Sequence, residues 1–273
     1  MIWSLILKKK QLVNVLFIGD VVGEPGCLAV KAVLPQLKLE YDIDFVVANA
    51  ENSANGNGLS SVSAKFLFDC GCDVLTGGNH SFRQSSVFGL LNSCEFVLRP
   101  ANLSKKCPGR GYCIFISEKF SVAVVNLMGQ AFLNCNFSAF DEMDFLLNKI
   151  KSKLIVVDFH AEATGEKGAL AHYLDGKVSA VIGTHTHVQT NDARILAKGT
   201  GFITDVGMVG PYENSILGVY ADCVVRRITT QLPTRFEVRP TACVFGGVVL
   251  SLNSETGLCE KISSLLLQNI KIV

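Results

Sequence analysis

The sequence predicts an α/β fold in which two β layers are covered by helices. Before residue 200, short apolar runs rich in β-branched residues alternate with segments of helical periodicity, and strand patterns follow one another after it. Apolar residues make up 49% and charged residues 18% of the 273 positions, so the chain can bury a full core and is not disordered. No low-complexity linker or internal repeat divides the sequence.

Five apolar runs are typical of fully buried strands, because they are short, continuous and rich in β-branched residues. Each run leads into a polar residue that could bind a ligand. The runs are residues 12–20, 45–50, 73–78, 154–159 and 178–183.

Four segments between these runs have the periodicity of helices. In the first, residues 27–41, Pro35 is expected to kink or split the helix. The second is expected to start at a capping Ser60 or Ser61 and to end before Gly71. The other two helices are expected from Ser138 to Ile150 and over residues 165–175.

Strands are expected throughout the last quarter of the chain, with a turn at Gly257 before the last of them. We interpret residues 12–273 as a single domain and residues 1–11 as an N-terminal extension. The extension places an apolar run before three lysines, which reverses the order of a signal peptide, and the run is too short to span a membrane. The expected strands are 201–206, 223–230, 235–238, 242–252 and 258–262.

The net charge of +1 excludes the uniform basic field of proteins that bind long nucleic acids or anionic membranes. A small-molecule substrate is therefore expected, with no membrane and no long nucleic acid as partner. The ten cysteines lack a C-x-x-C spacing, and a chain of this size needs no disulfides. They are interpreted as reduced thiols of a cytoplasmic protein.

Side chains with metal-binding atoms follow the carboxyl end of each of the five apolar runs. Open α/β sheets bind their ligands at this edge, so we expect these side chains to converge. Four of the five histidines are among them, and a joint placement with carboxylates and asparagines is hard to explain by packing. The candidates are Asp20, Glu51, Asn52, Asn79, His80, His160, His185 and His187.

The donor set of carboxylate, amide and imidazole groups without thiolate favours iron or manganese, with zinc and magnesium as alternatives. Even if one of the eight candidates is not a ligand, the seven others exceed the needs of one catalytic ion with an open position. Two ions about 4 Å apart are therefore expected, a pair that lowers the pKa of bound water and stabilises charge on a phosphoryl group.

The strand-end motifs resemble those of the calcineurin-like metallophosphoesterases, in the same order along the chain. Two departures, a valine pair after Asp20 and Glu51 in place of an aspartate, resemble the bacterial YmdB-type subfamily, as do residues 158–164 and 205–211. The resemblance runs from about Val13 to the C-terminus. The matching motifs are Gly19-Asp20, Glu51-Asn52, Gly78-Asn79-His80, His160 and Gly183-Thr184-His185-Thr186-His187.

The resemblance implies a four-layer α/β/β/α sandwich of the metallophosphoesterase type and a dinuclear phosphodiesterase for 2′,3′-cyclic nucleotides. A hydroxide shared by the two ions would attack phosphorus, and His80 would protonate the leaving oxygen or donate to a phosphoryl oxygen. A homodimer or homotetramer is also implied. The implied ligands are Asp20, Asn52 and His187 for one ion, Asn79, His160 and His185 for the other, and Glu51 as the bridge.

Three arginines have both a functional and a structural interpretation. Arg99 precedes a rigid proline step and could bind phosphate, and a structural role for it is equally open. If residues 223–230 form a strand, Arg226 and Arg227 face opposite sides, so that at most one of them faces a site.

Several further polar residues stay open in the same way. Asp158 and Glu162 could orient histidine ligands or simply cap the ends of strands. The Cys70-x-Cys72 pair could bind a metal or act in redox chemistry, although packing as apolar thiols is favoured. His172 is interpreted as a surface or half-buried residue.

Other functions stay open because the walls of the pocket, and not the metal pair, decide which phosphoester binds. The chain could be a phosphomonoesterase or nucleotidase, or a nuclease with the same metal site. The alternative from a different class is a metal-containing, nucleotide-sensing regulator with weak turnover. An intact His80 argues against a regulator, since a protein that only binds needs no proton donor.

Overall fold

The computed structural model of the chain describes residues 11–272, so most of the predicted N-terminal extension lies outside the described residues. Its strands are β1 (Leu12–Ile18), β2 (Asp20–Val21), β3 (Phe45–Asn49), β4 (Val74–Thr76), β5 (Tyr112–Ile116), β6 (Ser121–Met128), β7 (Leu154–His160), β8 (Ala180–Thr184), β9 (Arg194–Ile195), β10 (Gly201–Ile203), β11 (Met208–Pro211), β12 (Ser215–Ile216), β13 (Val219–Tyr220), β14 (Cys243–Asn253) and β15 (Cys259–Ile270). Its helices are α1 (Gly23–Glu40), α2 (Ser61–Asp69), α3 (Val87–Ser93), α4 (Ala139–Leu147), α5 (Thr164–Tyr173) and α6 (Ala221–Thr230).

The first sheet is mixed and contains seven of these strands. Strand β1 pairs in parallel with β3, and β3 pairs in parallel with β4. On its other side β1 pairs antiparallel with β14, which also pairs with β11 and β15. Because β1, β3 and β4 run in the same direction, their carboxyl ends lie along one edge of the sheet.

The second sheet contains six strands in the order β5-β6-β7-β8-β10-β9. Its four central strands, β6, β7, β8 and β10, are parallel, and the two outer strands pair antiparallel with their neighbours. The predicted runs at 154–159 and 178–183 are β7 and β8, whose carboxyl ends also lie side by side.

Three apolar clusters show how the layers stack. Leu16 and Ile18 of β1 belong to a cluster with residues of α1 and α2, whereas Val15 and Phe17 of β1 belong to a cluster with β6, β7 and β8. The third cluster joins the outer face of the second sheet to α4 and α5. The alternation along β1 therefore places it between helices and a second sheet, and the molecule is the four-layer α/β/β/α sandwich that the resemblance implied.

The predicted helix starts and ends are largely confirmed. Ser60 caps α2 by accepting a hydrogen bond from Ser63 N, and Gly71 follows the helix with a φ of 102° that favours glycine. Ser138 caps α4 in the same way. Helix α1 is longer than predicted at its start and runs through Pro35 without being split.

The strand predictions after residue 200 are wrong in part. Residues 223–230 belong to α6, because the valines and the isoleucine that favour a strand by composition also lie three and four positions apart, as on a helix. Residues 235–238 form no strand. Arg226 and Arg227 are consecutive residues of an exposed helix, so the argument from strand alternation does not apply to them.

The two ends of this region also differ from the prediction. The strand predicted over residues 201–206 is β10, which ends at Ile203. Buried polar residues separate it from β11, which the sequence does not predict. The last strand continues from Cys259 to Ile270, beyond the predicted end at residue 262, and pairs antiparallel with β14. The division into an extension over residues 1–11 and one domain over residues 12–273 stays a prediction. Among residues 11–272, no helix has both the length and the apolar composition of a membrane span.

Candidate metal centre

The predicted ligands meet where the carboxyl ends of the two sheets face each other. Asp20 begins β2 directly after β1, and Glu51 and Asn52 follow β3. Asn79 and His80 follow β4 after a pair of glycines, His160 ends β7, and His185 and His187 follow β8. The first sheet thus contributes five of these side chains and the second sheet contributes the three remaining histidines.

His160 lies at the centre of the cluster and is fully buried. Its Nε2 atom is 3.2 Å from Glu51 Oε1, 2.9 Å from Asn79 Oδ1 and 3.0 Å from His185 Nδ1. The ligand atoms of Glu51, His160 and His185 all lie within 4.8 Å of one another. The residues assigned to the second ion, with the proposed bridge, therefore point their donor atoms at a common position.

Asp20 and His187 approach the cluster from the opposite side. The Asp20 side chain is buried: Oδ2 accepts a hydrogen bond from His185 N at 3.1 Å, and Oδ1 has no hydrogen-bond partner among the described residues. His187 Nε2 is 3.7 Å from Asp20 Oδ1, and His160 Nδ1 is 3.9 Å from the same atom. A buried carboxylate oxygen without a donor is costly unless a cation lies next to it.

The backbone of residues 184–187 is bent so that both histidines face the cluster. His185 has a φ of 104° and His187 a φ of 65°, which non-glycine residues rarely adopt. Glu162 contacts His185 Nε2 at 2.8 Å, so the Nδ1 atom is left for the cluster. Leu217 O is 2.9 Å from His187 Nδ1, which leaves the Nε2 atom of that ring. The predicted orienting role of Glu162 thus has a direct contact.

A buried polar network orients the ring of His160. Thr184 Oγ1 lies 3.0 Å from His160 Nδ1 and donates a hydrogen bond to Asp158 Oδ1 at 2.7 Å. Asn49 Nδ2 donates to Asp158 Oδ2 at 3.0 Å, and Thr76 donates to the same oxygen. Burial raises the pKa of Asp158 to about 7. Asp158 therefore acts on His160 through Thr184 and without direct contact.

Asn52 connects the cluster to His80. Its Oδ1 atom is 2.8 Å from His80 Nδ1, and its Nδ2 atom is 3.3 Å from His187 Nε2 and 3.4 Å from Glu51 Oε1. His80 N donates to Glu51 Oε2 at 2.8 Å. The amide oxygen of Asn52 faces His80 in this arrangement, so binding an ion through that oxygen requires a rotation of the amide.

The charges of the cluster are unusual because all its central groups are buried. Burial raises the pKa of Asp20, which His187 and His160 offset only in part. Burial also acts on Glu51, but the adjacent His160 outweighs it and lowers the pKa of Glu51 to about 2. The carboxylates in turn outweigh burial at His160 and raise its pKa to about 9, whereas burial lowers the pKa of His185 to about 4.

The residues fit divalent cations. Two carboxylates, two amides and three imidazoles form the donor set, and one buried carboxylate oxygen lacks a hydrogen-bond partner among the described residues. Gly78 adds to this fit, since a side chain there would overlap both the Glu51 carboxylate and the His160 ring. These seven residues could therefore hold two ions with Glu51 between them.

The structure leaves several other candidates outside the cluster. Arg99 is buried and donates to the backbone carbonyls of Pro100 and Ala101, so its structural interpretation applies. His172 is exposed on α5, as the sequence indicated. The cysteines are free thiols, and burial raises the pKa of Cys72 far above its ordinary value.

Two buried residues that support the site were missed in the sequence. Lys167 Nζ donates to Asp205 Oδ2 at 2.6 Å, and the same oxygen accepts from Thr186 N between the two histidines. Asn126 brackets Gly77, donating to its carbonyl oxygen and accepting from its N–H, each at 3.0 Å. A signal existed for Lys167, because it shares a helical stripe with the buried Leu170.

Comparisons with known proteins show the family of the chain. A family model described as YmdB-like protein matches residues 16–265. The chain is 42% identical over 258 residues to the 2′,3′-cyclic-nucleotide 2′-phosphodiesterase of Bacillus subtilis, in an alignment that covers 94% of this chain and 97% of that protein.

Two crystal structures superpose closely on the fold. A hypothetical protein from Thermus thermophilus has a TM-score of 0.88 at 40% identity, covering 94% of this chain and 100% of that one. A phosphatase from Mycoplasma pneumoniae has a TM-score of 0.89 at 33% identity, covering 95% of each chain. The chain described here therefore belongs to the family of YmdB-like proteins.

Proposed function

We propose that the protein is a cytoplasmic phosphodiesterase that hydrolyses 2′,3′-cyclic nucleotides to nucleoside 3′-phosphates with two metal ions, iron or manganese being favoured. The observation that carries this proposal is the buried cluster around Glu51 and His160, in a chain 42% identical over 94% of its length to an enzyme with that name. In the reaction, the oxygen of water bonds to phosphorus, the bond from phosphorus to O2′ breaks, and O2′ takes up a proton.

The side chains of the cluster divide this work between them. Asp20, Asn52 and His187 would hold one ion and Asn79, His160 and His185 the other, with Glu51 between them. Bound there, the metal pair supplies an acidified water and positive charge that stabilises the phosphoryl oxygens in the transition state. Glu162 and Leu217 hold the two histidine rings so that the required nitrogen faces the ions.

His80 is the residue that we assign to the leaving oxygen. Its Nδ1 atom lies 2.8 Å from Asn52 Oδ1, and the rotation that would turn this oxygen to an ion would place the amide nitrogen of Asn52 at Nδ1 instead. Asn52 therefore faces Nδ1 in either arrangement, and Nε2 is the nitrogen that can carry a proton to O2′. The ring also lines an open cleft, which gives a substrate access to it. The same nitrogen could donate a hydrogen bond to a phosphoryl oxygen, and the function proposed here is compatible with either act.

The test compares three substrates on protein reconstituted with manganese or iron: 2′,3′-cyclic AMP, 3′,5′-cyclic AMP and p-nitrophenyl phosphate. We expect kcat/KM for 2′,3′-cyclic AMP to exceed the other two by at least about tenfold, the discrimination that a shaped pocket provides. Chromatography should identify adenosine 3′-phosphate as the product.

Two results would overturn the proposal. Faster hydrolysis of the monoester would indicate a phosphomonoesterase or nucleotidase with the same metal site. Metal-replete protein that leaves all three esters intact, while it still binds a nucleotide, would indicate a regulator.

The free cysteines suit a reducing compartment. The homodimer or homotetramer suggested by the family stays a prediction, to be checked by the mass of the protein in solution.

A further inference from the structure

A cleft of about 500 Å³ opens directly beside the metal centre, and nothing in the proposed chemistry uses it. Its lining includes Asn79, one of the proposed ligands, together with Phe82 and Arg83. The loop of residues 130–137 also lines it, through Phe132, Asn134 and Phe137 among others. Its size lies within the range of small-molecule sites, and the ligand in its lining places it next to the candidate metal centre.

Phe132 is the unusual residue of this loop. Its side chain is 90% exposed and its φ is 63°, a left-handed backbone conformation that is unfavourable for a residue with a side chain. Neither the exposure nor the strain contributes to packing. Strained residues that the fold holds in place are concentrated at binding sites, so Phe132 is a candidate for ligand contact.

The loop that carries Phe132 is held firmly by the rest of the molecule. Glu166, in the first turn of α5, accepts hydrogen bonds from Gln130 N at 2.7 Å and from Ala131 N at 3.3 Å. At the other end of the loop, Asn102 Nδ2 donates to Phe137 O at 3.0 Å. The aromatic ring is therefore presented on a fixed support next to the cleft.

We propose that this cleft binds the nucleobase of the substrate, with Phe132 stacking on the base and Asn134 and Asn136 reading its polar edge. This inference rests on the proposed function, because it assumes that the scissile phosphate is bound at the metal centre. Exposed aromatic side chains beside amide groups are the usual means by which proteins bind an unpaired base. A purine offers the larger stacking face, so adenine and guanine nucleotides should bind more tightly than uracil and cytosine nucleotides.

A second cleft of about 1300 Å³ lies on the other side of His80 and is the rival site for the base. It is lined by residues 234–240, including Phe236, which is 53% exposed. His80 lines it, but no proposed metal ligand does, and residues 234–240 are mostly exposed. The first cleft is favoured because one of its lining residues is itself a proposed ligand, and Phe236 provides a matched control.

The experiment measures binding of a fluorescent adenosine 3′-phosphate analogue, 1,N⁶-ethenoadenosine 3′-phosphate, to the metal-reconstituted protein by fluorescence polarisation. Replacing Phe132 with alanine should weaken binding by about ten- to a hundredfold, the loss seen when a stacking aromatic is removed. Phe132→Tyr should restore most of the affinity. Phe236→Ala should leave the affinity for the analogue unchanged. The inhibition constant of inorganic phosphate should be the same for all variants.

Kinetics provide a second measurement that separates the base from the phosphate. With 2′,3′-cyclic AMP, Phe132→Ala should raise KM with little change in kcat. With methyl riboside 2′,3′-cyclic phosphate, which has no base, the variant should match the parent protein. Phe132→Gly should bind the analogue as weakly as Phe132→Ala does. Because glycine tolerates the φ of 63°, this variant should melt at no lower temperature than Phe132→Ala.

The outcomes distinguish this inference from the proposed function. If Phe132→Ala binds the analogue as tightly as the parent, or if only Phe236→Ala weakens binding, the inference is wrong even when cyclic nucleotides are hydrolysed. The same holds if the parent protein does not bind the analogue. Binding that depends on Phe132 in a protein that hydrolyses no cyclic nucleotide would instead overturn the proposed function and leave the base site standing.

Discussion

The ion pair of Lys167 and Asp205 shows how much a single contact can contribute to the site. Its atoms are 2.6 Å apart and its side chains are 0% and 1% exposed. The pair of Lys65 and Asp69 on α2 has the same length, but its side chains are 74% and 62% exposed. Asp205 also holds the backbone N–H of Thr186, so the buried pair connects α5 to the segment that carries His185 and His187.

Replacing Lys167 with methionine should lower the free energy of unfolding by about 3–5 kcal/mol, because Asp205 would keep a buried charge without a partner. Urea denaturation measures this loss. The double variant Lys167→Met/Asp205→Asn should recover part of it. Lys65→Met is the matched control and should change the stability little, since solvent already screens that pair. Equal effects of the two lysine substitutions would contradict the importance of burial.

His80 carries a prediction of its own at this scale. Removing its ring with His80→Ala takes away the proton donor but none of the seven proposed ligands, so kcat should fall by about 10²–10⁴-fold. Metal content by elemental analysis should stay at the parental value. His172→Ala removes an exposed histidine from α5 and should change neither quantity. A variant of His80 with nearly parental turnover would show that the proton comes from elsewhere.

At the scale of single elements, α6 differs from every other helix of comparable length. It has ten residues and none of them is buried, whereas α5, also of ten residues, buries Lys167, Leu170 and Ala171. Val225 and Ile228 are 50% and 71% exposed on α6. A helix of this length that packs against nothing is only marginally stable in water. Few contacts therefore stabilise α6.

Hydrogen exchange followed by mass spectrometry should therefore show weak protection over residues 221–230. We expect protection factors on the order of a hundredfold or more below those of α5, because local opening costs little where few contacts are lost. Equal protection of the two helices would mean that something covers α6 in solution. Measuring exchange at two protein concentrations shows whether a second copy of the chain does so.

At the scale of the whole molecule, the candidate metal centre lies where the two sheets meet. Asp20, Glu51 and Asn79 come from the first sheet, and His160 and His185 from the second, so bound ions would connect both β layers. Ligand groups that repel or lack a partner without a cation become favourable when a cation is bound. Metal binding should therefore add to the stability of the fold as a unit.

Adding manganese at about a hundred times its dissociation constant should stabilise the protein by about 2.7 kcal/mol for each ion bound, which chelator treatment should reverse. Melting curves with and without chelator measure the shift. Asp20→Asn removes one buried charge whose Oδ1 atom lacks a partner, so the chelated variant should melt higher than the chelated parent, and it should lose the part of the manganese shift that comes from the ion assigned to Asp20. A variant that still shows the full metal-dependent shift would remove Asp20 from the ligand set.

Part of this site could be predicted from the sequence for a local reason. Apolar runs and capping residues are read from a few neighbouring positions, and the polar residues after parallel strands meet because parallel strands end on one side. On this basis Asp20, Glu51 and His160 are expected to lie close together. The local prediction is wrong for residues 223–230, where the β-branched composition favours a strand but the spacing along the chain allows a helix.

Local sequence patterns were enough to predict most of the alternating strands and helices, the candidate ligands at the strand ends and the resemblance to the metallophosphoesterases. The burial of Lys167 against Asp205, the contact of Asn52 with His80 and the cleft that Phe132 and Asn79 both line were apparent only in the folded molecule. The physical reason is that periodicity and capping depend on neighbours along the chain. Burial, ring orientation and the shape of a cleft depend instead on residues that lie tens of positions away or more.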